Sequence, residues 1–200
     1  MLYLHKTGIA FQKMGEIDLK SLKCLKDESW LHTHRTAILN QWEQQVWFES
    51  ITKSHSDLIL MAHKLEKEKF TSPIGVFKID RVDWISRSGH VGWDIFQHAR
   101  GKGLGKLLVQ AGIDFVFEVL NLRRIDCEIL SNNFASKKCA EGAGFILEGR
   151  RRCAIVKCRE LLDSEIYGVL RSDWVSLPRV QKMGKFCNNN FREEKKNARG

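Results

Sequence analysis

Apolar and polar positions along the chain recur with the periods of both helices and strands. The longest regular stripe predicts an amphipathic helix over residues 104–119, because its apolar positions recur every three or four residues. The stripe consists of Leu104, Leu107, Leu108, Ala111, Phe115 and Val119. A strand is predicted on each side of this helix, over residues 90–96 and 123–130.

Other helices are predicted from their apolar faces and end signals. Residues 40–52 form one, and a second begins just after Asp27, which serves as its cap. A third covers residues 135–143, between Asn133 and a terminating Gly144. The apolar face of the helix over residues 40–52 consists of Trp42, Val46, Trp47 and Ile51.

Further strands are predicted before and after the central helix. Their ranges are residues 17–23 (a weak pattern), 58–64, 74–79, 154–157 and 165–170. Because strands and helices mingle along the chain, the fold class is mixed α/β or α+β.

The charge of the chain is distributed unevenly. The 200 residues carry a net charge of +9, from 33 Lys and Arg against 24 Asp and Glu. Seven basic and two acidic residues lie in residues 176–200, which are poor in apolar side chains. We therefore predict an N-terminal extension over residues 1–16, a folded domain over 17–175 and a basic, disordered tail over 176–200.

Cysteine usage and the absence of address signals indicate a cytoplasmic protein with free thiols. The six cysteines form no C-x-x-C pair, and most lie in apolar-patterned segments where a thiol acts as a small hydrophobe. No secretory signal and no run of about 18 apolar residues is present, so no membrane partner is expected.

A glycine-rich loop joins the strand over residues 90–96 to the strongest helix. Gly101, Gly103 and Gly105 bring the backbone close to a ligand, and the start of the helix offers unpaired N–H groups to an anion. Arg100, Lys102 and Lys106 add positive charge. The segment matches neither the Walker A pattern nor the dinucleotide-binding fingerprint, so it predicts a phosphate or pyrophosphate cradle of another kind.

Two signatures in the chain resemble those of the GNAT superfamily of N-acetyltransferases. Arg100-x-x-Gly103-x-Gly105 resembles the loop that grips the pyrophosphate of acetyl-CoA in that family. The block from Asn133 to Phe145, with Ser136 inside it, is similar to the second signature as the RimJ/RimL-like branch carries it. The resemblance covers about residues 17–174 and is specific for the superfamily but not for a substrate.

The resemblance implies a central, mostly antiparallel splayed sheet flanked by helices, with acetyl-CoA as acetyl donor. The coenzyme would lie between the strands ending at Phe96 and near Leu130, paired with main-chain groups from Asp94 to Phe96, including those of Ile95 and Phe96. The pyrophosphate would contact the run Arg100, Gly101, Lys102, Gly103, Leu104, Gly105 and Lys106. Asn133 is either a contact on the other side or a helix cap, and Ser136 is a further contact.

The family transfers acetyl by direct attack of an amine, which requires a base for the amine and a proton source for the leaving thiolate. His90 occupies the position where many relatives have a glutamate, and an imidazole with an ordinary pKa of about 6.5 suits a general base. Asp94 is the alternative base on the same strand face. Ala140 occupies the position of the family's tyrosine acid, so Ser136 or water takes that role.

Three functions stay open from the sequence. The first is acetyl transfer to a primary amine, such as a protein N-terminus, an amino sugar or another small amine, by a monomer or homodimer. The second is a non-catalytic acyl-CoA-binding regulatory module, because the glutamate and tyrosine are absent. The third, nucleic-acid binding through the basic tail, is less favoured. The segment His32-Thr33-His34 lacks further ligands, so no metal is expected.

Overall fold

The computed structural model of the protein describes residues 2–34, 40–66 and 69–181. Within these ranges, nine strands form one sheet and five α-helices flank it. The strands are β1 (Leu2–Leu4), β2 (Ile9–Lys13), β3 (Leu58–Glu66), β4 (Lys69–Phe70), β5 (Gly75–Asp83), β6 (Ser88–Ile95), β7 (Arg124–Leu130), β8 (Ile146–Lys157) and β9 (Glu160–Leu170). The helices are α1 (Leu19–Ser29), α2 (Gln41–Lys53), α3 (Leu104–Glu118), α4 (Phe134–Ala143) and α5 (Arg171–Ser176).

The sheet is open and almost entirely antiparallel. Its order is β1-β2-β3-β5-β6-β7-β9-β8, with the two-residue β4 paired to β3. The β6–β7 pair alone among the described strands is parallel, and its pairing extends only from Ser88↔Arg124 to His90↔Asp126. The predicted mixed fold with a splayed, mostly antiparallel sheet is confirmed.

Helices cover the two faces of the sheet and divide the apolar core. Helix α3 packs on one face, where the missing side chain of Gly112 lets it approach Phe77; a Cβ there would lie 2.3 Å from the ring. Helices α1 and α2 cover the opposite face, against a second cluster that includes Leu22, Ile59 and Val76. The site described below lies on the α1–α2 side.

The predicted strand over residues 17–23 is wrong, because the chain there forms α1. Leu22 and Leu25, three residues apart, are buried on one helix face, whereas Ile17 is 90% exposed. Asp27 lies inside this helix and forms an ion pair with Lys23 one turn earlier, so it does not cap a helix.

The helix predicted over residues 40–52 is confirmed as α2, but its buried face is rotated from the prediction. Asn40 caps it by accepting a hydrogen bond from Glu43 N at 2.9 Å. Trp42 and Val46 are exposed, while Trp47 packs against the core and Gln44 is buried. The Gln44 side chain donates to Leu19 O at 2.7 Å, which turns a polar position inward and explains the rotation.

The central elements follow the prediction closely, and the last two strands exceed it. Helix α3 ends one residue short of the predicted stripe, where Val119 is exposed, and α4 ends at Gly144 in the left-handed conformation. Strands β8 and β9 are longer than predicted. Strand β8 is an exposed edge strand with consecutive arginines from Arg150 to Arg152, so its sequence lacks the apolar alternation from which a strand is predicted.

Both ends of the described chain join the domain. Strands β1 and β2 are part of the sheet, so the domain begins before residue 17. Arg179 lies within the predicted tail, yet it contacts Asp114 of α3 at 2.5 Å, and its neighbour Val180 is buried. Asp114 is itself fully buried and accepts from His5 at 2.9 Å and Trp174 at 2.7 Å.

The remaining expectations from the sequence concern the tail, the cysteines and membrane-spanning helices. The tail beyond Gln181, with Cys187, lies outside the described residues. Cys24, Cys153 and Cys158 are exposed, so the expectation of small apolar packing thiols holds for Cys127 but not for these. No helix in the described part of the chain is long and apolar enough to cross a membrane.

Candidate active site

Two adjoining cavities open where β6 and β7 separate. The glycine-loop cavity, of about 560 Å³, is lined by the loop before α3 and the start of α4, including Gly101, Gly103 and Ala135. The histidine cavity, of about 330 Å³, is lined by inward side chains of β5, β6 and β7, including Asp80, His90 and Glu128. They share the residues His32, Trp93, Asp94, Asn133 and Ser136.

The separation of β6 from β7 exposes main-chain groups to a ligand. The amide of Phe96 donates to Ile74 O, so by the alternation of antiparallel bonding Asp94 also pairs with β5. The main-chain groups of Trp93 and Ile95 therefore point away from β5, toward the opening. Ile95 O accepts from Arg100 Nε at 3.0 Å, which ties the glycine-rich loop to the strand.

The glycine-rich loop forms an open cradle at the start of α3. Gly101 and Gly103 both have φ of +72°, a conformation that L side chains rarely adopt, and a Cβ at either would meet no heavy atom within 4 Å. Gly103 is the N-cap residue of α3, so the first N–H groups of the helix lie beside this open space. Gly105 instead packs closely, since its Cβ would lie 3.3 Å from Cys139 Sγ.

Asn133 is a helix cap that also joins two parts of the site. Its Oδ1 accepts from Ser136 N at 3.1 Å at the start of α4. Its Nδ2 donates to His32 O at 2.9 Å, across the junction of the two cavities. Of the two roles considered from the sequence, the structure shows the cap.

His90 and Asp80 form a hydrogen-bonded pair in the histidine cavity. They face each other across β5 and β6, and His90 Nδ1 lies 3.0 Å from Asp80 Oδ1. His90 Nε2 is buried and has no hydrogen-bond partner among the described residues. If Nδ1 carries the proton donated to Asp80, Nε2 presents its lone pair to the cavity.

The charge of Asp80 is maintained by its neighbours. Burial would raise the pKa of its carboxyl, but hydrogen bonds from His90 and Lys78 outweigh burial and lower the pKa. An ionised Asp80 in turn stabilises a positive charge on His90, as a general base needs after accepting a proton.

The predicted catalytic residues line the same cavity, whereas only some of the predicted cofactor contacts line the glycine-loop cavity. His90, Asp94 and Ser136 line the histidine cavity, and the last two also line the glycine-loop cavity. The residues among the predicted contacts that line the glycine-loop cavity are Ile95, Arg100, Gly101, Gly103, Gly105, Lys106, Asn133 and Ser136.

Phe96, Lys102 and Leu104 are not among the lining residues. Phe96 is buried, stacks on His98, and uses its amide in the sheet, so that group is not available to a ligand. Leu104, the first residue of α3, is buried in the core, and Lys102 is an exposed residue of the loop.

Sequence reasoning missed the polar residues around His90. Lys78 and Glu128 lie in predicted strands, and Asp80 directly follows the one over residues 74–79. A polar residue at an inward position of a strand is the signal that could have revealed them. His34 also lines the cavity; burial lowers its pKa, against the attraction of Glu128, and its Nε2 lies 2.7 Å from Ser164 Oγ.

No metal site is assembled from these groups: the described residues contain no cluster of three or more His, Cys, Asp or Glu able to hold an ion. The site is a pair of adjoining pockets, one bordered by the open glycine-rich loop and one by the buried imidazole of His90.

A sequence comparison decides the family. The model of the family described as "Acetyltransferase (GNAT) domain" matches residues 10–146. The chain belongs to this family. The GNAT chain is therefore an N-acetyltransferase, and acetyl-CoA is its acetyl donor.

Individual relatives are distant but consistent. The GNAT chain is 23% identical over 163 residues to the putative ribosomal N-acetyltransferase YdaF of Bacillus subtilis, covering 82% of this chain and 81% of the relative. It is 25% identical over 113 residues to the spermidine N(1)-acetyltransferase of Vibrio cholerae, covering 52% and 65%.

A solved structure shares the fold. The spermidine N-acetyltransferase of Vibrio cholerae, in complex with CoA and spermine, matches with a TM-score of 0.74 at 17% identity. The match covers 86% of this chain and 100% of that one. At this identity the likeness concerns the fold.

The glycine-loop cavity fits the donor. The open cradle at Gly101 and Gly103, the start of α3 and the nearby Arg100 and Lys106 suit a pyrophosphate, and the main chain of Ile95 borders the path toward His90. The narrow arm of acetyl-CoA, which would lead from the cradle to the histidine cavity, would pass between β6 and α4.

Proposed function

We propose that the GNAT chain acetylates a primary amine that enters the histidine cavity, with His90 as the general base. The observation that carries the proposal is the buried Nε2 of His90, which has no hydrogen-bond partner among the described residues, while Nδ1 is paired with Asp80 and the residue lines the cavity. This arrangement supports a catalytic site over a pocket that only binds an acyl-CoA.

The residues of the chain divide the work. Gly101, Gly103 and Arg100 hold the anionic end of the donor, and the N–H of Trp93 or Ile95 offers a hydrogen bond inside the opening. Bound there, acetyl-CoA supplies an acetyl group activated as a thioester. His90 accepts the proton of the attacking amine, and Asp80 stabilises the resulting imidazolium.

Two further residues complete the proposal. Asp94, at the junction of the cavities, attracts the ammonium form of the acceptor and is the alternative base. Ser136 lines both cavities at the start of α4, and we assign to its hydroxyl the transfer of a proton to the leaving thiolate.

The acceptor is a protein N-terminus, an amino sugar or another small amine. The names of the similar proteins point to different acceptors, a ribosomal one and spermidine, so the family alone does not select among them. The assignment to the RimJ/RimL-like branch rests on the second signature, from Asn133 to Phe145.

We also infer that the protein works in the cytoplasm. The five cysteines in the described part of the chain are unpaired, which suits a reducing compartment. Its oligomeric state, monomer or homodimer, stays a prediction.

The proposal is tested by replacing the base. His90→Gln keeps a polar side chain of similar length but cannot accept and retain a proton at neutral pH, so kcat should fall by roughly 100-fold. Release of free CoA thiol with a panel of amines measures turnover, and calorimetry should show an unchanged dissociation constant for acetyl-CoA.

His55→Gln is the matched control, because His55 is exposed and lines neither cavity. It should retain wild-type turnover. Wild-type turnover in His90→Gln would move the base to another residue, with Asp94 next to be tested. No thiol release by the wild-type protein with any amine would favour the acyl-CoA-binding module instead.

A further inference from the structure

The wall of the histidine cavity changes from polar to apolar along the sheet. Cross-strand pairing sets Asp80 opposite His90 and Lys78 opposite Gly92. Farther along the same face, Val76 of β5 and Ile59 of β3 line the cavity. Because residues two apart in a strand share a face, one face carries both the base and an apolar surface next to it.

Helices α1 and α2 close the apolar end. Leu22 of α1 and Trp47 of α2 line the cavity opposite Ile59 and Val76. All four belong to the second core cluster or pack against it, so this part of the wall is held in place by the fold. It offers a ligand an apolar lining contributed by α1, α2, β3 and β5.

The floor between the base and the apolar end is empty because residue 92 is glycine. Gly92 lies in β6 between His90 and Asp94, and a Cβ built on it would meet no heavy atom within 4 Å. Its φ is not in the left-handed region, so the backbone there does not require glycine. What the glycine provides is space beside the base.

The carboxylates of the cavity already face cations of the protein. Asp80 forms ion pairs with Lys78 and lies against His90. Glu128 forms an ion pair with Arg151. A second or third ammonium group of a polyamine would therefore compete with these internal partners.

Resting on the proposed function, the geometry points to an acceptor of defined class: a primary amine with a single positive charge attached to a compact apolar group. The amine lies at His90 and the apolar group lies over Gly92 against Ile59, Val76 and Trp47. The cavity of about 330 Å³ holds one aromatic or branched aliphatic group of this kind. A free arylalkylamine and the apolar first residue of a peptide share this chemistry.

Acceptor kinetics test the assignment directly. With phenethylamine, kcat/KM should exceed that with ethylamine by about 30-fold, because the phenyl group is buried. It should also exceed the values with spermidine and glucosamine. Comparing phenethylamine with the peptide Phe-Gly-Gly amide distinguishes a free amine from a peptide N-terminus as the source.

A variant that fills the floor tests the location. Gly92→Leu should raise KM for phenethylamine about tenfold, leave KM for ethylamine nearly unchanged and keep the affinity for acetyl-CoA. Gly149→Leu is the matched control, since Gly149 is also a strand glycine whose Cβ would meet nothing within 4 Å, but it lines neither cavity. It should change none of these values.

Binding separates failure of this inference from failure of the proposed function. Calorimetry on wild-type protein saturated with CoA should show phenethylamine binding more tightly than ethylamine, and Gly92→Leu should remove the difference, whether or not turnover is detected. Preference for spermidine or glucosamine, or equal effects of Gly92→Leu and Gly149→Leu, would overturn the acceptor class. Absence of turnover with this binding difference intact would overturn only the catalytic proposal.

Discussion

At the scale of single residues, the site depends on a side chain that is itself held by another. His90 is oriented by Asp80, and Asp80 stays ionised because hydrogen bonds from His90 and Lys78 offset the effect of burial on its pKa. The chain thus has an imidazole–carboxylate pair where many relatives have a glutamate. We expect Asp80 to act as a positioning residue, since it lies behind the imidazole rather than at the reacting amine.

A graded pair of substitutions tests this role. Asp80→Asn keeps an oxygen that accepts from His90 Nδ1 but removes the charge, so kcat should fall about tenfold. Asp80→Ala removes both and should lower kcat further, while the KM for acetyl-CoA stays the same in each. If Asp80→Asn and Asp80→Ala lower kcat by the same factor, and both also lower thermal stability equally, the role of Asp80 is structural only.

The sequence predicts the residues that line the cavities better than the contacts that support those residues. His90, Asp94 and Ser136 follow from their position relative to the two signatures, which are local in the chain. Asp80 was missed because its role arises from cross-strand pairing with His90. The register between two strands cannot be predicted from the sequence of either strand alone. Phe96 was misplaced for the same reason, since bonding to Ile74 depends on the alternation of the ladder.

At the scale of elements, the prediction succeeds where a segment has a strong period and clear ends. Helix α3 has a continuous apolar stripe and α4 lies between an asparagine cap and a terminal glycine, and both are found within a few residues of prediction. Helix α1 was missed because its short apolar pattern also fits alternation. Packing of Leu22 and Leu25 against the sheet decided in favour of a helix.

The loop before α3 provides a test at this scale. Gly103→Glu places a carboxylate in the cradle, so the affinity for acetyl-CoA should fall by about 100-fold, measured by calorimetry. Gly103→Ala is the matched control, because it meets the same unfavourable φ of +72° without adding charge. It should lose about 1 kcal/mol of stability and retain most of the affinity. Equal loss of affinity in both variants would attribute the effect to the backbone.

At the scale of the whole molecule, one buried carboxylate joins distant parts of the chain. Asp114 in α3 accepts from His5 before β2, from Trp174 in α5 and from Arg179 beyond it. Burial would raise the pKa of Asp114, but these partners outweigh it and lower the pKa. The domain boundaries predicted from composition could not include these contacts, since they link residues 60 or more positions from Asp114.

Removing this charge should destabilise the domain. Asp114→Asn should lower the free energy of unfolding by about 3 kcal/mol at pH 7, measured by urea denaturation, because it leaves Arg179 without a charged partner in a buried setting. Asp173→Asn, a carboxylate at the start of α5, is a milder control at the level of a helix cap.

The pH dependence of this difference has a definite sign. Because the pKa of Asp114 is lower in the folded state than the unfolded value of about 3.9, its stabilisation is complete above that value. It is lost as the pH falls through the folded-state pKa. The difference between wild type and Asp114→Asn should therefore stay constant from about pH 7 to 5 and shrink below about pH 4. A difference that stays constant as the pH falls below about 4 would contradict the assignment.

The contacts of Asp114 also have a consequence for synthesis on the ribosome. When α3 emerges, only His5 among its three partners has already been made, and Trp174 and Arg179 follow about 60 residues later. Until then, burying this carboxylate would leave it short of hydrogen-bond partners, which disfavours final packing of α3. The buried network around Asp114 can therefore be completed only after the segment with Trp174 and Arg179 has been translated.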